Sequence, residues 1–137
     1  MWLNDRIRNI IARHRFNRTY GRHLGVLSVT DEELAFGRYR LQDTTTILEN
    51  DWSLPWSKIR KIQAYKRDCH ITDLICLDIE TDGGRQFEVN EEMDGWREMQ
   101  GALAARFGIQ EDAWFAEVAV PAFETNQKTL WTREGEE

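Results

Sequence analysis

Hydrophobic and polar positions change rhythm three times along this chain. In MWLNDRIRNIIARHRF, Leu3, Ile7, Ile10, Ile11 and His14 recur at i, i+4, i+7, i+8 and i+11, which marks one face of an amphipathic α-helix. The run from Asn17 to Gly21 is expected to end it. Between residues 22 and 90 the period shortens to two. HLGVLSVTDEELAFGRYR makes two short strands around the polar turn Thr30-Asp31-Glu32, with Leu34 and Phe36 alternating with Glu33 and Ala35. TTTILEN offers a third strand through Ile47 and Leu48. DWSLPWS reads as a connection, because Pro55 has no N–H to give to a ladder. KIRKIQAYK makes a fourth strand. DLICLDIET makes a fifth, with Ile75, Leu77 and Ile79 on one face and Asp78 and Glu80 on the other. Asp82-Gly83 signals a two-residue type I′ hairpin turn, and RQFEV follows as a sixth strand with Phe87 and Val89 inward.

Helical spacing then returns. EEMDGWREMQGALAARFG places Met93, Trp96, Met99 or Gln100, Leu103 and Phe107 along one side. Asn90 or Asp94 is a candidate cap at its start, and Gly108 suits the left-handed position at its end. In the tail, Glu111-Asp112 opens a short helix carrying Trp114, Phe115 and Val118, and Pro121 stops it. ETNQKTLWTR is expected to be extended and EGEE frayed. The reading is α+β in class: a basic amphipathic helix over 1–21, a domain over 22–108, and a tail over 109–137 that packs on the domain. A chain of 137 residues suits one such domain.

The order of these elements resembles the pleckstrin-homology-like fold, especially its GRAM and bacterial PH-like forms. LGVLSVTDEELAF is similar to the opening strand pair, WSKIRKIQAYK to a stretch with isoleucines three apart, and DGGRQFEV precedes a helix centred on Trp96; the likeness covers 24–107. It implies a strongly bent antiparallel sheet, or a partly open barrel of six to seven strands, closed by the helix around 92–107. WSKIRKIQAYKRDCHITDLICLDIET, NEEMDGW and WFAEVAVPAFETN together resemble a family of small bacterial proteins akin to toxin-immunity proteins, over about 52–131. That likeness implies a protein-binding role, with an acidic face for a basic toxin, and carries no catalytic residue with it.

Charge sharpens the choice of partner. Residues 1–22 hold six arginines against Asp5 alone, a net +5, and the remainder holds 12 basic against 23 acidic residues, a net −11. So acidic a body is a poor binder of nucleic acid and suits a basic protein. Arg6, Arg8, Arg13 and Arg15 could instead hold the helix on an anionic bilayer or an acidic partner. The favoured expectation is that the apolar stripe docks the helix on its own body or mediates assembly into a homo-oligomer. No apolar run reaches the ~18 residues of a membrane span. Two cysteines without a signal peptide fit reduced thiols in a cytoplasm.

Chemistry concentrates in one place. KRDCHITDLIC holds both cysteines, Cys69 and Cys76, beside His70. Adjacent residues on an extended backbone point to opposite sides, so Cys69 and His70 are poorly placed to share a metal that needs four ligands. Neither thiol has a visible activating group. The stretch is therefore expected to be a hairpin with Cys76 as a small buried hydrophobe. Nucleotide-binding, zinc-protease and serine-nucleophile motifs are lacking. Asp78 and Glu80 form an acidic pair on a strand face. The resulting expectation is a non-enzymatic protein-binding module without metal or cofactor, whose partner surface is drawn from Asp78, Glu80, Arg6, Arg8, Arg13 and Arg15. The alternative is a peripheral membrane protein using the basic helix.

Overall fold

A computed structural model describes residues 2–69, 72–120 and 126–133. The chain opens with α1 (Trp2–Tyr20) and continues through β1 (Val26–Val29), β2 (Glu33–Gln42) and β3 (Thr45–Pro55). A 3₁₀ turn, Trp56–Lys58, leads to β4 (Ile59–Cys69), β5 (Thr72–Thr81) and β6 (Gln86–Asn90). α2 (Trp96–Phe107), α3 (Glu111–Ala119) and β7 (Lys128–Thr132) complete it.

The strands form two antiparallel sheets, one of three strands in the order β1-β2-β3 and one of four in the order β6-β5-β4-β7. The expectation is a strongly bent antiparallel sheet or a partly open barrel; among the described residues the strands are antiparallel throughout but fall into two sheets, the ladder breaking between β3 and β4. Trp56 is the physical reason. Its indole is buried against the core, its Nε1 donates to the Thr30 carbonyl at 2.8 Å, and its backbone N–H donates to the Glu32 carbonyl at 3.0 Å. The chain turns inward there rather than continuing the ladder.

Alternation carries the core as expected. Leu34 and Phe36 pair across to Leu54 and Trp52, and Leu77 and Ile79 pair across to Val89 and Phe87. Leu34, Ile62, Leu77, Ile79 and Val89 are fully buried, joined by Met99 and Leu103 of α2 and by Trp114 and Val118 of α3. At ~1.5–3 kcal/mol for each aliphatic side chain removed from water, this cluster is the dominant favourable contribution to folding.

Several boundaries differ from those read in the sequence. DWSLP is not a connection: β3 runs through it to Pro55, which pairs with Glu33 at the last rung. Proline is tolerated there because β3 is an edge strand and Pro55 ends it. The β5–β6 turn is a four-residue loop, Asp82–Arg85, with positive φ at Gly83 and Gly84 rather than at Asp82. α2 starts at Trp96 without a side-chain cap. Asn90 Oδ1 accepts the Glu92 N–H at 3.0 Å, which shapes the turn after β6, and the Asp94 carbonyl accepts the Leu27 N–H at 2.7 Å, which ties the loop to the first sheet; neither caps α2. Between them and α2 stands Gly95 at φ 84°, where a Cβ would run into the Leu27 carbonyl oxygen. Gly108 closes α2 in the left-handed region, as its sequence position implied.

The N-terminal helix also continues past its expected end, to Tyr20. Asn and Thr are weak helix formers, but Phe16 and Tyr20 lie one turn apart with ring centroids 5.4 Å from each other. Tyr20 rests on Tyr39 of β2 at 4.4 Å. That contact with the first sheet outweighs local propensity over the last turn.

Candidate interaction surfaces

Asp78 and Glu80 occupy the outer face of the four-stranded sheet, opposite in phase to Leu77 and Ile79. Asp78 lies across from Gln63 on β4 and from Glu88 on β6. Partial burial, then the neighbouring carboxylates of Glu80 and Glu88, push the Asp78 carboxyl above its ordinary range, while Lys61 opposes the shift. Basic side chains thread through this acidic row. Arg60 holds Glu80 at 3.1 Å and Arg67 holds Glu88 at 2.5 Å. The face therefore presents less uncompensated negative charge than the sequence alone suggests.

Cys76 shares that face yet is fully buried. Burial first, then the adjacent Glu88, pushes its thiol up to about 12, and its Sγ donates to the Leu74 carbonyl at 3.6 Å. The thiol stays protonated at neutral pH and is a poor nucleophile. Tyr65 beside it is raised by burial and by its hydrogen bond to Glu88. Cys69 pairs with Thr72, and Cys76 lies four residues further along β5, about 13 Å away at the rise of a strand. His70, the third member of the quoted cluster, lies outside the described residues, and among the described residues no group of three ligating side chains converges.

One charged residue escaped the sequence reading. Lys66 is only 2% exposed. Its Nζ donates to the Ala119 carbonyl at the end of α3 at 2.9 Å and lies 3.4 Å from the Asp73 carboxylate. The signal was available: Ile62, Ala64 and Lys66 are in phase on β4, so the alternation that buries the first two also buries the third. A cation at a helix C-terminus meets the negative end of the backbone dipole there. This contact is a structural joint between α3 and the second sheet.

The arginines expected to form a partner surface all lie on α1, and the helix touches the body by only one side. Tyr20, packed on Phe16 one turn before it, makes the contact with Tyr39, and the His23 ring sits 5.2 Å from the same tyrosine. His23 Nε2 contacts Asp94 at 2.8 Å, and its Nδ1 accepts the Gly25 N–H at 3.1 Å. Arg8, Ile11 and Arg15 line an open groove of about 390 Å³ between α1 and the β2–β3 turn, floored by Phe16, Leu41, Thr44 and Thr46, so Ile11 stands at the edge of the apolar stripe nearest the body. Arg6 and Arg13, two turns apart, follow the opposite flank. Ile7 and Phe16 are nine residues apart, about two and a half turns, which puts them on opposite sides of the helix. Accordingly Ile7, Ile10 and Ile11 remain 48%, 61% and 46% exposed. The expected docking of this stripe on the protein's own body is not what holds the helix; the aromatic residues behind it do so. The Asp78–Glu80 face belongs to the other sheet, so the two sets of candidate residues form two separate surfaces.

No protein-family model, curated protein or solved structure matches the chain. No helix of the described residues is long and apolar enough to cross a membrane.

Proposed function

We propose that the protein is a non-enzymatic protein-binding module of pleckstrin-homology-like architecture, in which α2 closes one end of the strand assembly and α1 is the binding element. Strand order and the position of α2 directly after β6 support the architectural part. One observation carries the functional part: three isoleucines stand exposed in a line on a cationic helix anchored from its other side. Three adjacent exposed aliphatic side chains on a surface otherwise rich in charge mark a contact site. A basic toxin seated on the Asp78–Glu80 face is a weaker reading, because Arg60 already pairs with Glu80, Arg67 with the neighbouring Glu88, and Lys61 lies near Asp78.

A photo-crosslinking residue in place of Ile10, introduced in growing cells, tests the reading. Discrete protein adducts that disappear when Arg6 and Arg13 are changed to Glu are expected. Labelled lipid without protein adducts would replace the reading with the membrane one, for which arginines flanking an apolar stripe are also suited.

A further inference from the structure

We infer that the partner of α1 is α3 of a second copy of this chain. The inference rests on α1 being the binding element and names what covers it. α3 has a buried side, Trp114 and Val118, and an outward side formed by Asp112, Ala113, Ala116 and Glu117. Val120 at its C-terminal end extends that side and is 67% exposed, the most exposed large hydrophobic residue among those described. Ala113 and Ala116 are spaced i and i+3, so they form one shallow apolar line along the helix, and Val120, extended, follows just past its end. Asp112 borders this line on one side; on the other stands Glu117, which is already joined to Lys128 of β7. α3 has no basic residue of its own in its last turn; the cations there are Lys66 at the Ala119 carbonyl and Lys128 at Glu117.

α1 presents the converse relief. Ile7, Ile10 and Ile11 form a raised apolar patch, which Arg18 follows seven residues after Ile11 on the same stripe, and exposed arginines border it: Arg6 and Arg13 on one side, Arg8 and Arg15 on the other. Large side chains on one helix fit over small ones on another, as ridges fit grooves in helix packing. The Asp112 carboxylate that borders one line then meets the arginines that border the other. Two α1 helices packed together would instead oppose arginine to arginine. Within one chain, α1 rests on β2 while α3 rests on β4 and β5, so each helix leaves its outer side available to a neighbour. A two-fold dimer repeats the contact, α1 on α3′ and α1′ on α3, as an isologous interface requires. The opposed charges of the first 22 residues and of the remainder then neutralise between copies, and the −11 body that would resist an anionic bilayer becomes the surface that receives the helix.

Charge reversal tests this with the full chain. Sedimentation equilibrium at low salt should give twice the 16.2 kDa chain mass, shifting toward monomer as salt is raised. Ile10→Asp should leave the circular dichroism spectrum unchanged and raise the dimer dissociation constant at least tenfold. Arg13→Glu and Asp112→Arg should each weaken the dimer alone, whereas an equimolar mixture of the two should re-form it, because both contacts in the mixed dimer then join opposite charges. A wild-type protein that stays monomeric, a dimer indifferent to all three substitutions, or a mixture no tighter than its components would overturn the inference. If the wild type is monomeric while the crosslinker at Ile10 still captures another protein, self-association falls and the binding role of α1 stands. If it is monomeric and only vesicles of phosphatidylserine and phosphatidylcholine are bound, both fall.

Discussion

Lys66 shows how one buried cation can hold two elements together. Its aliphatic stem crosses the core side of β4, and its ammonium reaches the carbonyl end of α3 and the Asp73 carboxylate. Lys66→Met keeps the stem and removes the charge. Urea denaturation should show a loss of about 3 kcal/mol, the usual cost of breaking a buried pair from one side. Cys76 gives a prediction in pH. Its thiol is pushed up to about 12 in the folded chain, against roughly 8.5 in an unfolded one. Between those values the unfolded state has lost the proton that the folded state keeps, so stability must fall as pH rises through that window. Tyr65, raised for a related reason, adds to the same slope at its upper end. Thermal unfolding from pH 8 to 11 should show this decline, and Cys76→Ala should make it shallower. Below pH 9 the native thiol should resist aromatic disulfide reagents. Cys76→Ser should cost about 1–3 kcal/mol, since a hydroxyl is poorly satisfied where the thiol sits. The burial of Cys76 and Lys66 is informative about sequence reading. Both sit on β strands whose alternation is plain, yet Cys76 is buried on the face that the alternation assigns to charged residues. Its cover is cross-strand: Tyr65 lies opposite it on β4 and Asn90 on β6, and nothing local to Cys76 announces either neighbour.

Among the elements, those set by local pattern were legible and those set by a distant partner were not. β5, β6 and the apolar side of α2 follow from spacing alone, and Gly108 marks the end of α2 by its freedom to adopt positive φ. The last turn of α1 depends on Tyr39, nineteen positions beyond Tyr20, and β3 extends to Pro55 because β2 supplies rungs down to Glu33. The candidate site was half legible. Its arginines and isoleucines were read correctly as one amphipathic helix, but the side that docks lies behind the stripe, in Phe16 and Tyr20. Tyr39→Ala should therefore loosen α1 without unfolding the sheets. Amide exchange over Ile10 to Tyr20 should quicken while β4 and β5 keep their protection. Gly95→Ala probes the loop before α2. It requires an L-residue at φ 84° and a Cβ against the Leu27 carbonyl, and it should cost about 2–3 kcal/mol, in the range of strained backbone at a constrained site. Chemical denaturation would read the loss directly.

At the scale of the molecule, the two sheets are built on different schedules. The first is a meander whose strands all lie between residues 26 and 55, so its pairings close short loops. The second is complete only when β7 pairs with β4, joining Gln63 to Thr129 across 66 positions. Arg133 then caps that edge, its side chain reaching the carbonyls of Ser57 and Ile59 and the Asp82 carboxylate. During synthesis, which proceeds from the N-terminus, β4 emerges long before its outer neighbour. For that interval Lys61, Ile62, Gln63 and Ala64 offer an open hydrogen-bonding edge to any extended segment nearby, another nascent chain included. A chain interrupted after residue 126 would keep that edge permanently and should pellet during expression where the full-length protein stays in the supernatant. β7 thus acts as a late-arriving guard, and ribosomes that stall before it is made would leave a product prone to misassembly.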